Sequence, residues 1–348
     1  MITNNPPIVS VNMVAYNSDK YINEAINSIL SQTFTDFELI IVNDGSTDKT
    51  KNVILTINDS RIKYYENPNN IGQNISRNIA LKYSIGKYIA VMDADDISYD
   101  NRLEKQIKFM EENEDYGLIG SLAGVIDHTG KSLGISQSKC FPPNETMVYL
   151  LFKNCFTHSS ILFRKEILEK VGINRNLLLA ADYEIIVKVS RFMQVGNINE
   201  ELVKYRRHDN SELYLKKDKK DKYDQSILIN QINELGLNPS ETELNIHQTM
   251  YKKFEHSVDK DYYLTLNWLD KLFNANRKMK IFPESEFYKI ISGYWFNLMN
   301  NPIQYNAKLL YFYFSSPIIK FTNRRFIDHI KFIIKCLKQF IIFSPVLN

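Results

Sequence analysis

Three acidic residues stand within four positions of the chain, at Asp93, Asp95 and Asp96, directly after the apolar run Tyr88–Met92. A short apolar run of this kind is typical of a strand buried on both faces. Open α/β sheets hold their ligands at the carboxyl ends of such strands. Clustered carboxylates raise one another's pKa unless a cation is near, and their oxygens suit Mg²⁺ or Mn²⁺, which can also grip a diphosphate. The alternative is a strand followed by a helix-capping aspartate and solvated neighbours, the commoner situation for an isolated Asp-x-Asp.

Strands and helices alternate in the N-terminal part of the chain. Apolar runs predict strands and helical spacing predicts helices, in the order Ile8–Val14, Ser18–Leu30, Phe37–Val42, Asp48–Asn58, Arg61–Tyr65, Gln73–Tyr83 and Tyr88–Met92. This alternation predicts a parallel sheet of the nucleotide-binding type, with helices on both faces.

Three of these strands end in candidate ligand groups. The first runs into Ala15, Tyr16 and Asn17, the second into Asp44, and the last into the acidic cluster. Asp44 alone would be interpreted as a helix cap, but two similar strand ends beside it favour recognition of a base or ribose. Arg77 is either a surface ion-pair residue or a cation for a base or phosphate.

Two familiar phosphate-binding motifs are absent from the sequence. It contains no G-x-G-x-x-G. The segment Gly124–Ser132 resembles a P-loop, but five residues separate its glycines where that motif has four. Asp127–Gly130 fits a hairpin turn better.

Composition is that of an ordinary globular protein. The chain has 348 residues, enough for one large domain and a smaller one, with 44% hydrophobic and 24% charged residues. A net charge of +3 gives no reason to expect a nucleic-acid partner. Three unevenly spaced cysteines suggest neither disulfides nor a zinc site. With no secretory layout at Met1–Pro7 and no apolar run long enough to span a bilayer, we expect a cytoplasmic location.

Eight blocks resemble, in their order, the landmarks of family 2 glycosyltransferases: Val9–Asn17, Ser28–Phe34, Phe37–Asp48, Asn70–Asn78, Gly86–Asp96, Thr157-His158, Asp182-Tyr183 and Tyr205–His208. The resemblance covers about the first 210 residues. It is strongest to bacterial enzymes that extend lipooligosaccharide, capsule or similar surface glycans.

The resemblance implies a GT-A fold over residues 1–212, a UDP-sugar donor, a glycan or glycolipid acceptor, and inverting transfer assisted by Mn²⁺ or Mg²⁺. By position, the resemblance implies that Ala15, Tyr16 and Asn17 line the uridine pocket and that Asp44 and Arg77 contact the uracil. Asp93 would face the ribose or sugar, and Asp95 would bind the metal, with His208 near the metal or diphosphate. His158 would lie in the acceptor pocket. Without the resemblance, His208 could equally be an ordinary surface residue, and a histidine such as His158 is more often structural.

An inverting transfer needs a carboxylate base across the donor from the metal. Asp182 is the candidate, because it opens an amphipathic helix whose dipole favours a first-turn carboxylate. The alternative is a simple helix-start residue. Most relatives have Glu-Asp where this chain has Ala181-Asp182. The change could alter acceptor choice or weaken activity, and Glu184 lies on a different helix face and is a poor substitute.

Two other functions compete with this reading. One is a non-catalytic nucleotide-sugar-binding or scaffold protein, which Ala181 favours and the intact Asp93, Asp95 and Asp182 oppose. The other is a nucleotidyltransferase, which should carry a Gly-rich basic N-terminal loop that Ala15–Asp19 does not provide.

Residues 213–348 predict a mainly helical region with aromatic-rich helices. The charge run Lys216–Lys222 predicts a solvated linker or helix face, and Ser240 with Glu243 predicts a capping box. The last segment, about residues 324–343, is basic and amphipathic, with one apolar face formed by Phe326, Ile330, Ile333, Leu337 and Phe340. Such a helix either contacts an anionic membrane surface or packs on the protein's own core.

Overall fold

The structure is a computed structural model that describes residues 6–136, 138–171, 181–209, 217–250, 262–300, 307–321 and 325–343. The chain forms two compact units. The first comprises Met1–Thr146 with Asn154–Asp224, and the second Met147–Lys153 with Gln225–Asn348. The first unit therefore includes residues beyond 212, where the sequence alone placed the boundary.

The first unit contains a mixed sheet. Its strands are β1 (Val9–Ala15), β2 (Phe37–Asn43), β3 (Ile62–Glu66), β4 (Tyr88–Asp93), β5 (Ile97–Ser98), β6 (Tyr116–Ile126), β7 (Ser132–Ser136), β8 (Leu162–Arg164) and β9 (Gln194–Arg206). They are ordered β3-β2-β1-β4-β8-β6-β9-β5, and β7 pairs with β6. The first four strands are parallel, whereas β8 is antiparallel to both of its neighbours.

Helices connect the strands of this unit: α1 (Ile22–Leu30), α2 (Thr50–Leu55), α3 (Gln73–Tyr83), α4 (Arg102–Glu112), α5 (Pro143–Tyr149), α6 (Lys165–Val171) and α7 (Ala181–Val189). A 3-10 turn, His158–Ser160, precedes β8. The predicted strands and helices up to residue 93 are present, with ends shifted by a few residues. The hairpin predicted at Asp127–Gly130 also forms, between β6 and β7.

Alternation along β1 explains how the sheet is covered. Val9, Val11 and Met13 are fully buried in an apolar cluster with residues of α1 and α4. On the other face, the Ser10 hydroxyl donates to Glu38 at 2.6 Å and Asn12 accepts from Ser84 at 3.0 Å. The strand is therefore buried on both faces, as its apolar run predicted.

Helices make up the second unit: most of α8 (Lys217–Glu234), then α9 (Glu241–Thr249), α10 (Tyr262–Met279), α11 (Glu284–Asn300), α12 (Ala307–Ser315) and α13 (Phe326–Phe343), with a 3-10 turn at Pro317–Phe321. Its core holds the fully buried rings of Trp268, Trp295, Phe273 and Phe287. The capping box at Ser240 and Glu243 is confirmed.

Helix α13 does not bury the face that the sequence singled out. Phe332 and Cys336 are its fully buried residues, whereas Phe326 is 79% exposed and Leu337 48% exposed. The helix therefore packs on its own unit through a neighbouring face, and the side chain of Phe340 lies outside the described residues. Among the helices described, none is long and apolar enough to cross a membrane.

Candidate functional site

Asp93, the last residue of β4, lies where three structural elements meet. Its Oδ1 is 3.6 Å from a guanidinium nitrogen of Arg77 on α3 and 3.7 Å from Nε2 of His158 in the 3-10 turn. Arg77 is steadied on its own helix by Gln73 and Asn74. Burial alone would raise the pKa of Asp93, but His158 and Arg77 outweigh it and bring that pKa below its usual value. The site thus maintains an ionised carboxylate at the strand end.

His158 lies between Asp93 and Asp182. Its Nδ1 is 3.9 Å from the Asp182 carboxylate, and neither ring nitrogen, although buried, has a hydrogen-bond partner among the described residues. Burial and the nearby Arg77 lower the pKa of His158, so the ring is neutral near pH 7. Two unused polar atoms in this position are suited to hydroxyl groups of a ligand.

Asp95 and His208 come together although they are 113 positions apart in the chain, with Oδ2 and Nε2 separated by 2.9 Å. The Asp95 carbonyl accepts from Arg206 at 2.8 Å, and the His208 ring packs on Tyr21 with centroids 4.9 Å apart. The contact between Asp95 and His208 is a direct hydrogen bond or ion pair. The two side chains would be able to hold a Mn²⁺ or Mg²⁺ ion, which would supply charge neutralisation there, although no group of three or more metal-binding side chains forms among the described residues.

Ser159 links the other two aspartates of the cluster. Its hydroxyl contacts Asp96 and lies 2.9 Å from Asp93 Oδ2. Burial, and then Asp95 and Asp93, raise the pKa of Asp96 well above its usual value. The single hydroxyl proton of Ser159 serves one carboxylate at a time, so Ser159 donates to either Asp93 or Asp96. Arg206 N–H donates to the other Asp96 oxygen at 2.7 Å.

Asp44 is fully buried and holds the loop before α3. Its Oδ1 accepts from Asn67 Nδ2 at 2.9 Å and from Ile71 N–H at 3.0 Å, and its Oδ2 accepts from Gly72 N–H at 3.0 Å. Through these hydrogen bonds, Asp44 stabilises the loop that leads to Arg77. Direct contact with a base stays a prediction.

The residues after β1 are tied to those after β2. Ala15 is buried and its carbonyl accepts from Asp44 N–H at 2.8 Å. Asn17 has a left-handed φ of 49° and its side chain accepts from Thr47 N–H at 2.9 Å. Tyr16 remains 41% exposed, which leaves its ring available to a ligand.

Asp182 lies in the first turn of α7. Asn154 Nδ2 is 3.5 Å from its Oδ2, and the paired Lys220 and Asp224 of α8 are electrostatic neighbours of its carboxylate. The charge run predicted as a solvated linker or helix face thus brings one lysine beside the candidate base. Glu184 pairs with Lys188 at 2.7 Å along α7.

A cleft in the first unit, with about 940 Å³ of empty volume counted out to open solvent, joins several of these groups. The predicted site residues that line it are Arg77, Asp93, His158 and Asp182, over a floor that includes Asn12 and Val91. Ala15, Tyr16, Asn17, Asp44, Asp95 and His208 are not among its lining residues. The sequence analysis assigned no role to Ser159, Arg206, Asn67 or Lys220. Of these, Ser159 lies beside His158 and Arg206 lies within the block Tyr205–His208, so both had a local signal.

Comparison with known proteins identifies the family. The model described as "Glycosyl transferase family 2" matches residues 10–172. An uncharacterised glycosyltransferase of Methanocaldococcus jannaschii is 37% identical over 221 residues, which are 62% of this chain and 76% of that protein. The chain belongs to glycosyltransferase family 2.

Two further similarities are to a sequence relative with a named role and to a solved structure. The O-antigen biosynthesis glycosyltransferase WbnJ of Escherichia coli is 33% identical over 216 residues, 59% of this chain and 81% of the relative. The crystal structure of Staphylococcus aureus TarS 1–349 aligns with a TM-score of 0.52 at 19% identity, over 83% of this chain and 86% of that one. That likeness shows the fold, and the predicted GT-A architecture is confirmed.

Proposed function

We propose that this glycosyltransferase moves a hexose or N-acetylhexosamine from a UDP-sugar to a growing cell-surface glycan, such as lipooligosaccharide or capsule, with inversion and with Mn²⁺ or Mg²⁺. The observation that carries the proposal is the cleft in which Asp93, at the end of β4, faces Asp182 across His158. TarS has been crystallised with UDP and with UDP-GlcNAc, and WbnJ is named for O-antigen biosynthesis. The TarS complexes support a UDP-sugar donor, and the name of WbnJ supports a glycan acceptor.

Asp95 and His208 would hold the cation, which supplies charge neutralisation for the departing diphosphate. Arg77 and the Ser159 hydroxyl, which contact the Asp93 carboxylate, would hold it towards the ribose or sugar. Tyr16 and Asn17 would border the uridine, while Asp44 positions the loop that completes its pocket.

Asp182 would take the proton of the acceptor hydroxyl as that oxygen attacks the anomeric carbon from the face opposite UDP. His158, neutral and with both ring nitrogens unpartnered among the described residues, would hydrogen-bond a hydroxyl beside it. Because Asp182 and Asp93 lie on either side of His158, acceptor and donor would meet at this ring. One displacement at the anomeric carbon inverts its configuration.

The proposed place of action is the cytoplasm, at the inner face of the cytoplasmic membrane where a lipid-borne acceptor would be found. The alternative hypothesis is a catalytically weak nucleotide-sugar-binding or scaffold protein of the same fold. It is favoured by Ala181, which stands where most relatives have Glu.

The test is UDP release from a panel of UDP-sugars, with Mn²⁺ and with a chelator, by the wild type, Asp95→Asn and His208→Ala. We expect one sugar to be hydrolysed by the wild type and turnover to fall about 10²-fold or more in both variants, because charge neutralisation at the diphosphate is lost. Asp115→Asn, an exposed acid of the same unit, is the matched control and should behave as wild type.

Inversion is checked on the same reaction by proton NMR of the first sugar anomer released, before mutarotation. Retained configuration would contradict a single displacement. Tight, metal-dependent UDP binding without turnover of any UDP-sugar would favour the scaffold reading instead.

A further inference from the structure

Helix α13 is anchored to the second unit by one face only. The Phe332 ring stacks on Tyr313 of α12 with centroids 4.5 Å apart, and His329 meets Phe296 edge-on at 5.1 Å. Tyr313 OH also hydrogen-bonds His329 Nδ1. With Phe332 and Cys336 fully buried, these contacts hold the helix in place without help from its other face.

The other face of α13 is apolar and exposed. Phe326 is 79% exposed, Ile327 47%, Ile334 45% and Leu337 48%, and Ile330 between them is partly buried. At 100° per residue these five side chains fall within about 100° of arc, and they extend over about 16 Å of helix. We call this set the outer face. Contiguous apolar surface of this kind marks an interaction site.

Basic residues border the outer face. Lys331 and Lys335 are exposed and follow it around the helix, between Ile327 and the buried Phe332. The acid of the first turn, Asp328, is paired with Arg325 at 3.4 Å. Lys331 therefore gives this border of the apolar strip a positive charge, which complements an anionic surface.

This charge pattern argues against a second copy as the occupant. Two-fold pairing of outer faces would bring Lys331 and Lys335 of each copy near the same lysines of the other, and Asp328 is already paired. A bilayer boundary satisfies both features at once, because apolar side chains enter the acyl region while lysines extend to anionic headgroups.

We propose that the outer face of α13 docks this glycosyltransferase on an anionic lipid surface, with the helix lying in the interfacial plane. Phe326 and Leu337, near the two ends of the strip, would be its principal apolar contacts. Lys331 and Lys335 would add electrostatic attraction. This docking surface rests on the membrane contact of the proposed function and does not depend on the chemistry of the donor.

The experiment is co-sedimentation of the full chain with vesicles of phosphatidylcholine, with and without phosphatidylglycerol. We expect wild type to bind the anionic vesicles and Phe326→Ser/Leu337→Ser to lose about tenfold or more of its partition coefficient, because apolar burial is lost. Lys331→Gln should lose about fivefold. Phe192→Ser, at an aromatic of the first unit that is 64% exposed, is the matched control and should bind as wild type.

Equal binding to neutral vesicles, undiminished binding of the double variant, or no wild-type binding would each overturn the proposal. So would a stable dimer, seen by light scattering, that the double variant abolishes. Donor hydrolysis in the absence of vesicles should be the same for wild type and double variant. This readout separates failure of the docking surface from failure of the proposed transfer activity.

Discussion

The two units of this glycosyltransferase are stabilised by different kinds of interior. The sheet unit buries charged side chains, among them Asp44, Asp96, Arg102, Arg164 and Arg206. In the helical unit, the buried polar side chains among the described residues are Gln231, His247, Thr265, Asn276, Ser292 and Ser316, none with a permanent charge. Its interior is otherwise aromatic and aliphatic.

This difference explains where the family can be recognised. A buried charge requires particular partners at particular positions, since an unpaired one is costly. An apolar core accepts many combinations of similar total volume. The sheet unit therefore carries recognisable sequence motifs, whereas the helical unit carries only hydrophobic periodicity. Substitutions at the site in the sheet unit should mainly lower activity, whereas substitutions in the core of the helical unit should mainly lower stability.

The largest expected effect is on catalysis in the sheet unit. Asp182→Asn should lower transfer to a membrane-fraction acceptor by about 10²–10⁴-fold, because the proposed general base is lost. The free energy of unfolding should change little, since this carboxylate is only partly buried. The measurements are radiolabelled sugar transfer and urea denaturation. Unchanged transfer would remove Asp182 from the role of base.

In the helical unit the expected effect is on stability. Trp295→Ala should cost about 3–5 kcal/mol of unfolding free energy, because a fully buried ring is removed. Trp295→Phe is the matched control. Its cost should be well below that of Trp295→Ala, since the indole Nε1 has no hydrogen-bond partner among the described residues. Equal losses in urea denaturation would contradict this account.

Acid should weaken the helical unit through His247. Trp268 donates to His247 Nδ1 at 3.1 Å, so Nε2 carries the proton and donates to Leu151 O at 2.7 Å. Burial lowers the pKa of His247 from 6.5 to about 4. Between about pH 6.5 and pH 4, His247 is protonated in the unfolded chain but not in the folded one. The free energy of unfolding therefore falls as the pH drops through this range, by at most about 3 kcal/mol.

Urea denaturation at several pH values measures this loss. His247→Gln should be less stable at neutral pH, because the bond from Trp268 is disturbed, but should show a shallower decline on acidification. A wild-type slope identical to that of the variant would exclude His247 as the cause.

The smallest expected effect tests local structure. Ser240→Ala removes the hydroxyl that accepts from Glu243 N–H at 3.3 Å and should cost about 1 kcal/mol. Thermal unfolding measures it, and Ser285→Ala, at an exposed site in the first turn of α11, is the control. A cost as large as that of Trp295→Ala would mean that the helical unit is not held mainly by its apolar core.

Much of the sheet unit was predictable because local patterns determine it. Helix α3 spans the predicted Gln73–Tyr83, and β4 begins at the predicted Tyr88. By contrast, the contacts of Ser159 and Arg206 with the acidic cluster were not predicted, although Ser159 follows His158 and Arg206 lies within Tyr205–His208. The sequence does not show whether a serine or an arginine is buried or exposed. The sequence left open whether the apolar face of α13 packs on the protein, because a helix with apolar residues on several sides can dock through any of them. The structure buries Phe332 and Cys336 instead.

The strand ends, the acidic cluster and the family could be predicted because each depends on spacing within a few residues or on blocks in a known order. Which groups meet could not be predicted, because that depends on the packing of distant elements. Asp95 contacts His208, 113 positions away, because β9 ends at Arg206, two residues before that histidine. The backbone N–H of Arg206 donates to Asp96 and so holds this strand end beside the acidic cluster. Asp44 became a loop anchor in the same way, through the bonds it accepts from Asn67, Ile71 and Gly72. Spacing along a chain predicts elements, but contacts between distant elements depend on how their surfaces pack.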